Sequence, residues 1–379
     1  MKIGLVAGEA SGDVLGAGLI RAIRARVPDA TFEGVAGPQM LAAGCDQWEP
    51  ANSLAVMGLI EPLAHIPRLL RLRRELVRRW HESPPDVFVG IDAPDFNLGL
   101  EKKLRKAGIR TAHYVSPSIW AWRSGRVKKV RKAADTVLCI LPFEPALYDA
   151  HGVNAVFVGH PSATASPDVV DMAAARAKLQ LDARQVVAVL PGSRGGEVAR
   201  IGGIVAEAAK AIHDVRPDVQ FVTPVATPKL RTVIEQQLLA AGVAEHFTLL
   251  DGDSQAAMSA ADVVLLASGT AVLEAAMLRK PAVATYRVNS LTYWLGQSVL
   301  RLVKLAHYTL PNLLTEEPLV PEFIQNEALP GPIADAVVAM LDDPQRRQSI
   351  SERFGRLRSE LALDADQHAA EAIIRLAQQ

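Results

Sequence analysis

Short apolar runs alternate with longer amphipathic stretches along most of this chain. The runs predict strands at Ile3–Val6, Phe32–Val35, Val87–Ile91, Thr111–Val115, Thr136–Leu141 and Ala155–Val158. A second series follows at Val186–Leu190, Gln220–Pro224, Phe247–Leu250, Val263–Ala267 and Ala282–Tyr286. Continuous apolar runs, rather than apolar–polar alternation, are what parallel strands buried on both faces require. The intervening stretches carry helical periodicity. Between Val14 and Val27, Leu15, Leu19, Ile23 and Val27 recur every fourth residue. Alternating strands and helices predict an α/β fold of doubly wound parallel sheets.

The chain has 379 residues, enough for two domains of ordinary size. The Ser-, Ala-, Pro- and Asp-rich stretch Ser162–Asp171 reads as the linker. The expected division is a first domain over 1–165 and a second over 166–343. The charged helical tail 344–379, broken once, is expected to complete the first domain. Both halves begin strand, glycine loop, helix. Ligands of such sheets bind at the carboxyl ends of the strands, so two facing sheets predict a cleft.

Composition narrows the classes. Formal net charge is zero, so nothing points to nucleic acid, and any electrostatic attraction is local. Cys45 and Cys139 lie far apart without metal-type spacing, which fits a reducing cytoplasm. The start MKIGLVAGEASGD runs straight into a glycine loop and does not read as a signal peptide. No stretch has the length and apolarity of a membrane span.

The loop Pro191-Gly192-Ser193-Arg194-Gly195-Gly196-Glu197 follows the Val186–Leu190 run and precedes a helix-prone stretch, Val205–Ile212. That geometry aims backbone N–H groups and a helix N-terminus at one spot, which favours anions. Arg194 adds a guanidinium suited to phosphate. Ser268, Gly269, Thr270 and Ala271 repeat the arrangement, and Glu274 is placed on the first turn of their helix. A carboxylate there can accept hydrogen bonds from vicinal ribose hydroxyls; plain helix capping is the other reading. The loop proposes a nucleotide or a phosphorylated sugar.

In the first half, AGEASGDVLGAG lacks both the dinucleotide fingerprint and a P-loop lysine. It reads either as a ligand-lining loop or as a turn in which Ser11 or Asp13 caps the helix. Asp92 and Asp95 follow Val87–Ile91. Asp92 at a strand end suits a general base; a turn cap is the alternative, and the stronger one for Asp95. Trp120 and Trp122 suit either a sugar face or core packing. Arg123, Arg126, Lys128, Lys129, Arg131 and Lys132 form a basic patch that fits an anionic ligand, a lipid headgroup or a solvated face. Asp251-Gly252-Asp253 reads as a turn, and the scattered histidines predict no metal.

Residues 54–80 predict a basic amphipathic helix. Ile66, Leu69, Leu70, Leu76, Val77 and Trp80 share a face, and Arg73 falls inside that apolar stripe. A membrane-facing helix would let Arg73 snorkel to headgroups; a core helix with Arg73 paired at an edge is the alternative. The apolar, basic run Leu291–Leu305 points the same way.

LVAGEASGD, AVMGLIE, VGIDAPDFN, HYVSPSIWAWR, LPFE, VGHP, LPGSRGGE, LLASGTAVLE and LPNLL together, in order and spacing, resemble the lipid-A-disaccharide synthase family over essentially the whole chain. The resemblance implies the GT-B arrangement, two facing Rossmann-like domains with a cleft between them. It implies inverting transfer from UDP-2,3-diacylglucosamine to 2,3-diacylglucosamine 1-phosphate, giving a β-1,6 disaccharide phosphate and UDP. It also implies work without metal or other cofactor, in the cytoplasm, peripherally on the inner membrane surface of Gram-negative bacteria. Carried over by motif, Asp92 is the base and Arg194 the essential donor-site arginine. Gly192, Ser193, Ser268–Ala271, Glu274 and Asn312 form the UDP pocket. Glu9 and Ser11, with Trp120, Trp122 and Arg123, face the acceptor. Ile66, Leu69, Leu70, Arg73 and Leu76 face the membrane. One departure is Ser162-Ala163-Thr164-Ala165 after VGHP, where the family pattern has an Ala-Asp pair; it bears on hinge contacts. A UDP-sugar epimerase, or a non-catalytic sugar-nucleotide-binding protein, is the alternative on this fold. A homodimer is left open.

Overall fold

The computed structural model describes residues 1–54, 61–120, 124–182, 184–287 and 307–379. The chain forms two compact units, Met1–Thr164 with Leu361–Gln379, and Ala165–Glu360.

The first unit is built on seven parallel strands: β1 Lys2–Ala7, β2 Thr31–Ala36, β3 Asp46–Pro50, β4 Val87–Ile91, β5 Arg110–Tyr114, β6 Thr136–Cys139 and β7 Asn154–Phe157. Their order is β3-β2-β1-β4-β5-β6-β7. The chain enters at β1, winds outward to β3, then returns to lay β4 on the other side of β1. The switch point therefore lies between β1 and β4. Alternate residues of β1 enter different cores. Ile3, Leu5 and Ala7 join Leu15, Leu19 and Ile23, while Val6 packs with Trp80 and Phe88 on the opposite face. Burial on both faces is why these strands read as unbroken apolar runs.

The second unit carries six parallel strands: β8 Val186–Leu190, β9 Gln220–Val225, β10 Phe247–Asp251, β11 Val263–Ala267, β12 Ala282–Tyr286 and β13 Glu322–Ile324. Their order, β10-β9-β8-β11-β12-β13, is that of a six-stranded Rossmann sheet with its switch point between β8 and β11.

The eleven strands expected from sequence are present, with ends displaced by at most two residues. β3 and β13 were not expected. Both sit at sheet edges. β3 reads DQWEP and β13 only EFI, so neither carries an apolar run.

The tail departs from expectation. Helix Pro344–Leu361 lies almost wholly within the second unit, where Arg347 donates to the Met340 carbonyl at 2.7 Å and Arg358 pairs with Asp168 at 2.7 Å. Only helix Ala365–Ala377 completes the first unit, placing Ala369, Ala370, Ile373 and Leu376 in one core with Leu15 and Leu19. The return to the first unit thus begins at 361, not at 344. Among the described residues, no helix is long and apolar enough to cross a membrane.

Candidate functional site

In the second unit the loop after β8 and the loop after β11 are neighbours, because β8 pairs directly with β11. They line one cavity of about 350 Å³. Gly192, Ser193 and Arg194 form one wall; Ser268, Gly269, Thr270, Ala271 and Glu274 form another. Two helices start there, Gly195–Val215 and Thr270–Met277. The first begins well before its helix-prone segment, so Gly195 and Gly196 lie inside its first turn.

Gly192 has φ +118°, and a Cβ there would sit 2.8 Å from the Cβ of Glu197. Only glycine satisfies both conditions. Glu197 is the third residue of the helix. Its carboxylate accepts from the Arg194 backbone N–H and pairs with the Arg194 guanidinium at 3.3 Å. The guanidinium remains 69% exposed, so it is steered by this contact rather than buried by it. Sequence reading passed over Glu197, although Arg194-x-x-Glu197 has the spacing of a capping box.

Glu274 is half-buried, and burial holds its carboxyl above the usual range. It lies on the second turn of helix Thr270–Met277, not on the first turn as expected. A carboxylate raised by desolvation gains from hydroxyl donors brought by a ligand.

Asp253 and Ser254 also line the cavity. Asp253 caps helix Ser254–Ala260 by accepting from the Ala256 N–H, and it pairs with Lys178. Asp251 pairs with Arg231 at 2.7 Å. The two aspartates serve separate ion pairs, as a turn requires. Among the described residues, no group of three His, Cys, Asp or Glu side chains is placed to hold a metal.

Asn312, expected in the UDP pocket, is not among the residues lining this cavity. It is buried and its amide is fully engaged. Nδ2 donates to the Val320 carbonyl at 2.7 Å and to Glu322 at 2.9 Å. Oδ1 accepts from the backbone N–H of Leu319 and Val320 at 2.8 and 2.9 Å. Those four bonds exhaust the capacity of an amide. Glu322 also accepts from the Thr309 backbone and hydroxyl. Asn312 is therefore a clamp that fixes the entry to β13, and it lines a separate cavity beside His307, Tyr308 and Glu322.

In the first unit the corresponding switch point carries Asp92. Asp92 and Ala93 both have left-handed backbone, φ +53° and +43°. Such conformations cost roughly 1–3 kcal/mol each for residues other than glycine and persist where the surroundings over-determine them. Here they do. The Asp92 N–H donates to the Tyr114 carbonyl at 2.8 Å, and the Asp92 carbonyl accepts from Asn97 at 2.8 Å. The loop after β1 closes on the same turn: a Cβ at Gly8 would lie 2.4 Å from the Cβ of Ala93. Glu9 and Ser11 stand exposed on that loop. Neither Ser11 nor Asp13 caps the first helix. Asp13 is buried and accepts from Gly37, Gln39 and Met40, capping the next helix instead.

Asp95 is exposed on the first turn after Asp92 and pairs with Arg126 at 2.7 Å. Lys128, Lys129, Arg131 and Lys132 form an exposed helix face. Trp120 is held by its Nε1–H donating to Glu144 at 3.1 Å and by edge-on contact with Phe143. Burial pushes the Glu144 carboxyl up to about 7. Trp122, Arg123, the AVMGLI segment and the Leu291–Leu305 run lie outside the described residues.

The amphipathic helix is described over Glu61–Glu82. Its apolar stripe divides. Ile66 and Leu70 are 42% and 43% exposed, and Leu69 is partly buried. Leu76 and Trp80 are buried with Val6, Val35 and Phe88, so Leu76 does not face a membrane. Arg73 does not snorkel outward either. It donates to the Asp95 carbonyl at 3.2 Å and lies over the Phe96 ring at 4.9 Å. The stripe is wide enough to cover a core, and the arginine inside it stacks on the next helix.

Comparison with known proteins agrees with this geometry. The family described as Lipid-A-disaccharide synthetase matches residues 3–375. A lipid-A-disaccharide synthase of Alkalilimnicola ehrlichii is 48% identical over 100% of this chain and 99% of its own length. One from Pseudomonas aeruginosa is 49% identical over 99% of this chain and 98% of its own. Among solved structures, a UDP-GlcNAc 2-epimerase of Neisseria meningitidis has TM-score 0.60 at 12% identity, covering 99% of both chains. A glycosyltransferase of Rickettsia africae has TM-score 0.58 at 11% identity, covering 100% of this chain and 97% of its own. These last two likenesses are of fold, the two-sheet α/β architecture of GT-B proteins. The full-length relatives decide the family: this chain belongs to the lipid-A-disaccharide synthases, glycosyltransferases of lipid A biosynthesis.

Proposed function

We propose that the second unit holds the UDP of UDP-2,3-diacylglucosamine and that Asp92 of the first unit deprotonates the acceptor, 2,3-diacylglucosamine 1-phosphate. The cavity shared by Gly192–Arg194 and Ser268–Glu274 carries this reading. Its size suits a nucleotide. It offers first-turn N–H groups of two helices and one guanidinium to a diphosphate, and a carboxylate to a ribose.

The acceptor's primary 6-hydroxyl attacks C1 of the donor sugar. Asp92 takes the hydroxyl proton as the new C–O bond forms. The bond from C1 to the diphosphate breaks, and its electron pair leaves with UDP. Attack from the face opposite UDP inverts the anomeric carbon and gives the β-1,6 linkage. Arg194 and the helix N-termini stabilise the charge growing on the leaving diphosphate. Each donor so aimed is worth about 3 kcal/mol in the transition state. Glu9, Ser11 and Trp120 line the acceptor's side.

Both substrates carry acyl chains, so the enzyme works at the cytoplasmic face of the inner membrane. Ile66 and Leu70, flanked by exposed Arg68, Arg71 and Arg74, support contact with lipid. The test is direct. Purified protein with both lipid substrates is expected to release UDP and disaccharide phosphate in equal amounts. UDP release without disaccharide would overturn the transfer.

A further inference from the structure

We propose that Asn97 is the positioning residue for Asp92. Asn97 is fully buried on the first turns of helix Pro94–Lys106. Its Nδ2 reaches three carbonyls: Asp92 at 2.8 Å, Val6 at 3.2 Å and Ile91 at 3.3 Å. Those carbonyls belong to the ends of β1 and β4, the two strands that flank the switch point. One side chain thus ties both strand ends, and the Asp92 carbonyl between them, to the helix that begins at Pro94.

The tie acts on a backbone that would otherwise relax. Two successive residues other than glycine hold left-handed conformations there. Among the described residues, the Asp92 N–H bond to Tyr114 and the Asn97 bond to the Asp92 carbonyl flank the first of them. Releasing the second bond frees the Asp92 peptide to rotate toward ordinary φ, which swings the carboxylate away from its present direction. Asn97 itself does not reach solvent, so it acts through Asp92 and touches no substrate. Strand β4 packs directly against Asn97. A Cβ added at Gly90 would meet the Asn97 Cβ at 2.9 Å. The inference rests on Asp92 being the base.

The test uses the full chain with both lipid substrates. Asn97→Leu keeps the branching and the number of side-chain heavy atoms and removes the donors. Its kcat is expected to fall about 100-fold, as displacement of a reacting group by an ångström does, with donor KM unchanged. In an Asp92→Asn background the same change is expected to cost less than about threefold, because the two act as one unit. Ala93→Gly, which adopts left-handed backbone without penalty, is expected to restore about tenfold of the kcat lost in Asn97→Leu. A local cavity would not respond to that rescue, and chemical denaturation of each variant separates a gain in stability from a gain in turnover. Asn97→Ser is read the same way and carries the test if the leucine variant does not fold. Parental kcat in these variants, full additivity with Asp92→Asn, or no rescue by Ala93→Gly overturns the positioning role. An Asp92→Asn enzyme with parental turnover overturns the base assignment itself, which separates the two failures.

Discussion

The two switch points solve the same geometric problem with opposite materials. At Asp92 the strand-to-helix turn is made by residues other than glycine in left-handed backbone, held by Asn97 and Tyr114. At Arg194 the turn is made by Gly192 at φ +118°, and the functional side chain is left 69% exposed on one weak carboxylate contact. The first arrangement stores strain and fixes direction, which suits a group that must meet one proton. The second is relaxed and adaptable, which suits a charge that must follow a diphosphate as it leaves. One topology thus serves a rigid anionic group and a mobile cationic one.

The comparison is sharpest when each side is broken separately. Asp92→Ala is expected to lower kcat by about 10³-fold, within the range of general-base removal, while UDP affinity by equilibrium dialysis stays parental. Turnover near the parent would end its role as base. Arg194→Ala is expected to lower kcat by about 10²-fold and to weaken UDP binding as well, measured by competition. UDP binding at parental strength would leave the cradle without its cation.

Smaller effects separate contact from scaffold. Leu76→Ser is expected to destabilise the first unit by about 3 kcal/mol in chemical denaturation. Leu70→Ser, on the same helix but exposed, is expected to leave stability unchanged and to reduce co-sedimentation with anionic vesicles. Equal stability losses would place both residues in the core. Asn312→Ala is expected to lower the melting temperature of the second unit through about 2 kcal/mol of unsatisfied backbone, with kcat less affected than in Arg194→Ala. The smallest effect belongs to Glu274. Its folded carboxyl holds its proton more tightly than the unfolded one. The destabilisation from ionising it is therefore absent below the ordinary carboxylate range, grows as pH rises toward the folded value, and is complete above that value. Glu274→Gln is expected to raise the melting temperature slightly at pH 7.5 and not at all at pH 3.5, while weakening UDP binding. A melting gain at the lower pH would contradict that assignment.

What the sequence displayed follows from where information is local. Strands buried on both faces spell out apolar runs; β3 and β13 are edge strands that, unlike the edge strands β7 and β10, carry too short an apolar run to be read. The strand-to-helix turns were legible because strand, glycine loop and helix are consecutive, so Asp92, Arg194 and Ser268–Ala271 follow strand ends, while Glu274 falls one turn further along its helix than the pattern suggested. The contacts of Asn312, Asp13 and Arg73 were not legible because their partners lie on other elements. Asn312 meets Glu322, Asp13 meets the loop after β2, and Arg73 meets Phe96. Amphipathicity alone does not say which part of a stripe is covered, so Leu76 and Leu70 looked alike until their neighbours were known.

The helix Ala365–Ala377 has a consequence for how the molecule is made. Strand β1 of the first unit is made before any strand of the second, yet the core around it includes Ile373 and Leu376 beside Leu15 and Leu19. The second unit is contiguous, from Ala165 to Glu360. During synthesis the second unit therefore has all its residues before the first one does. The half that is translated first is finished last, and until then the face that will receive the final helix needs shelter from water and from other chains.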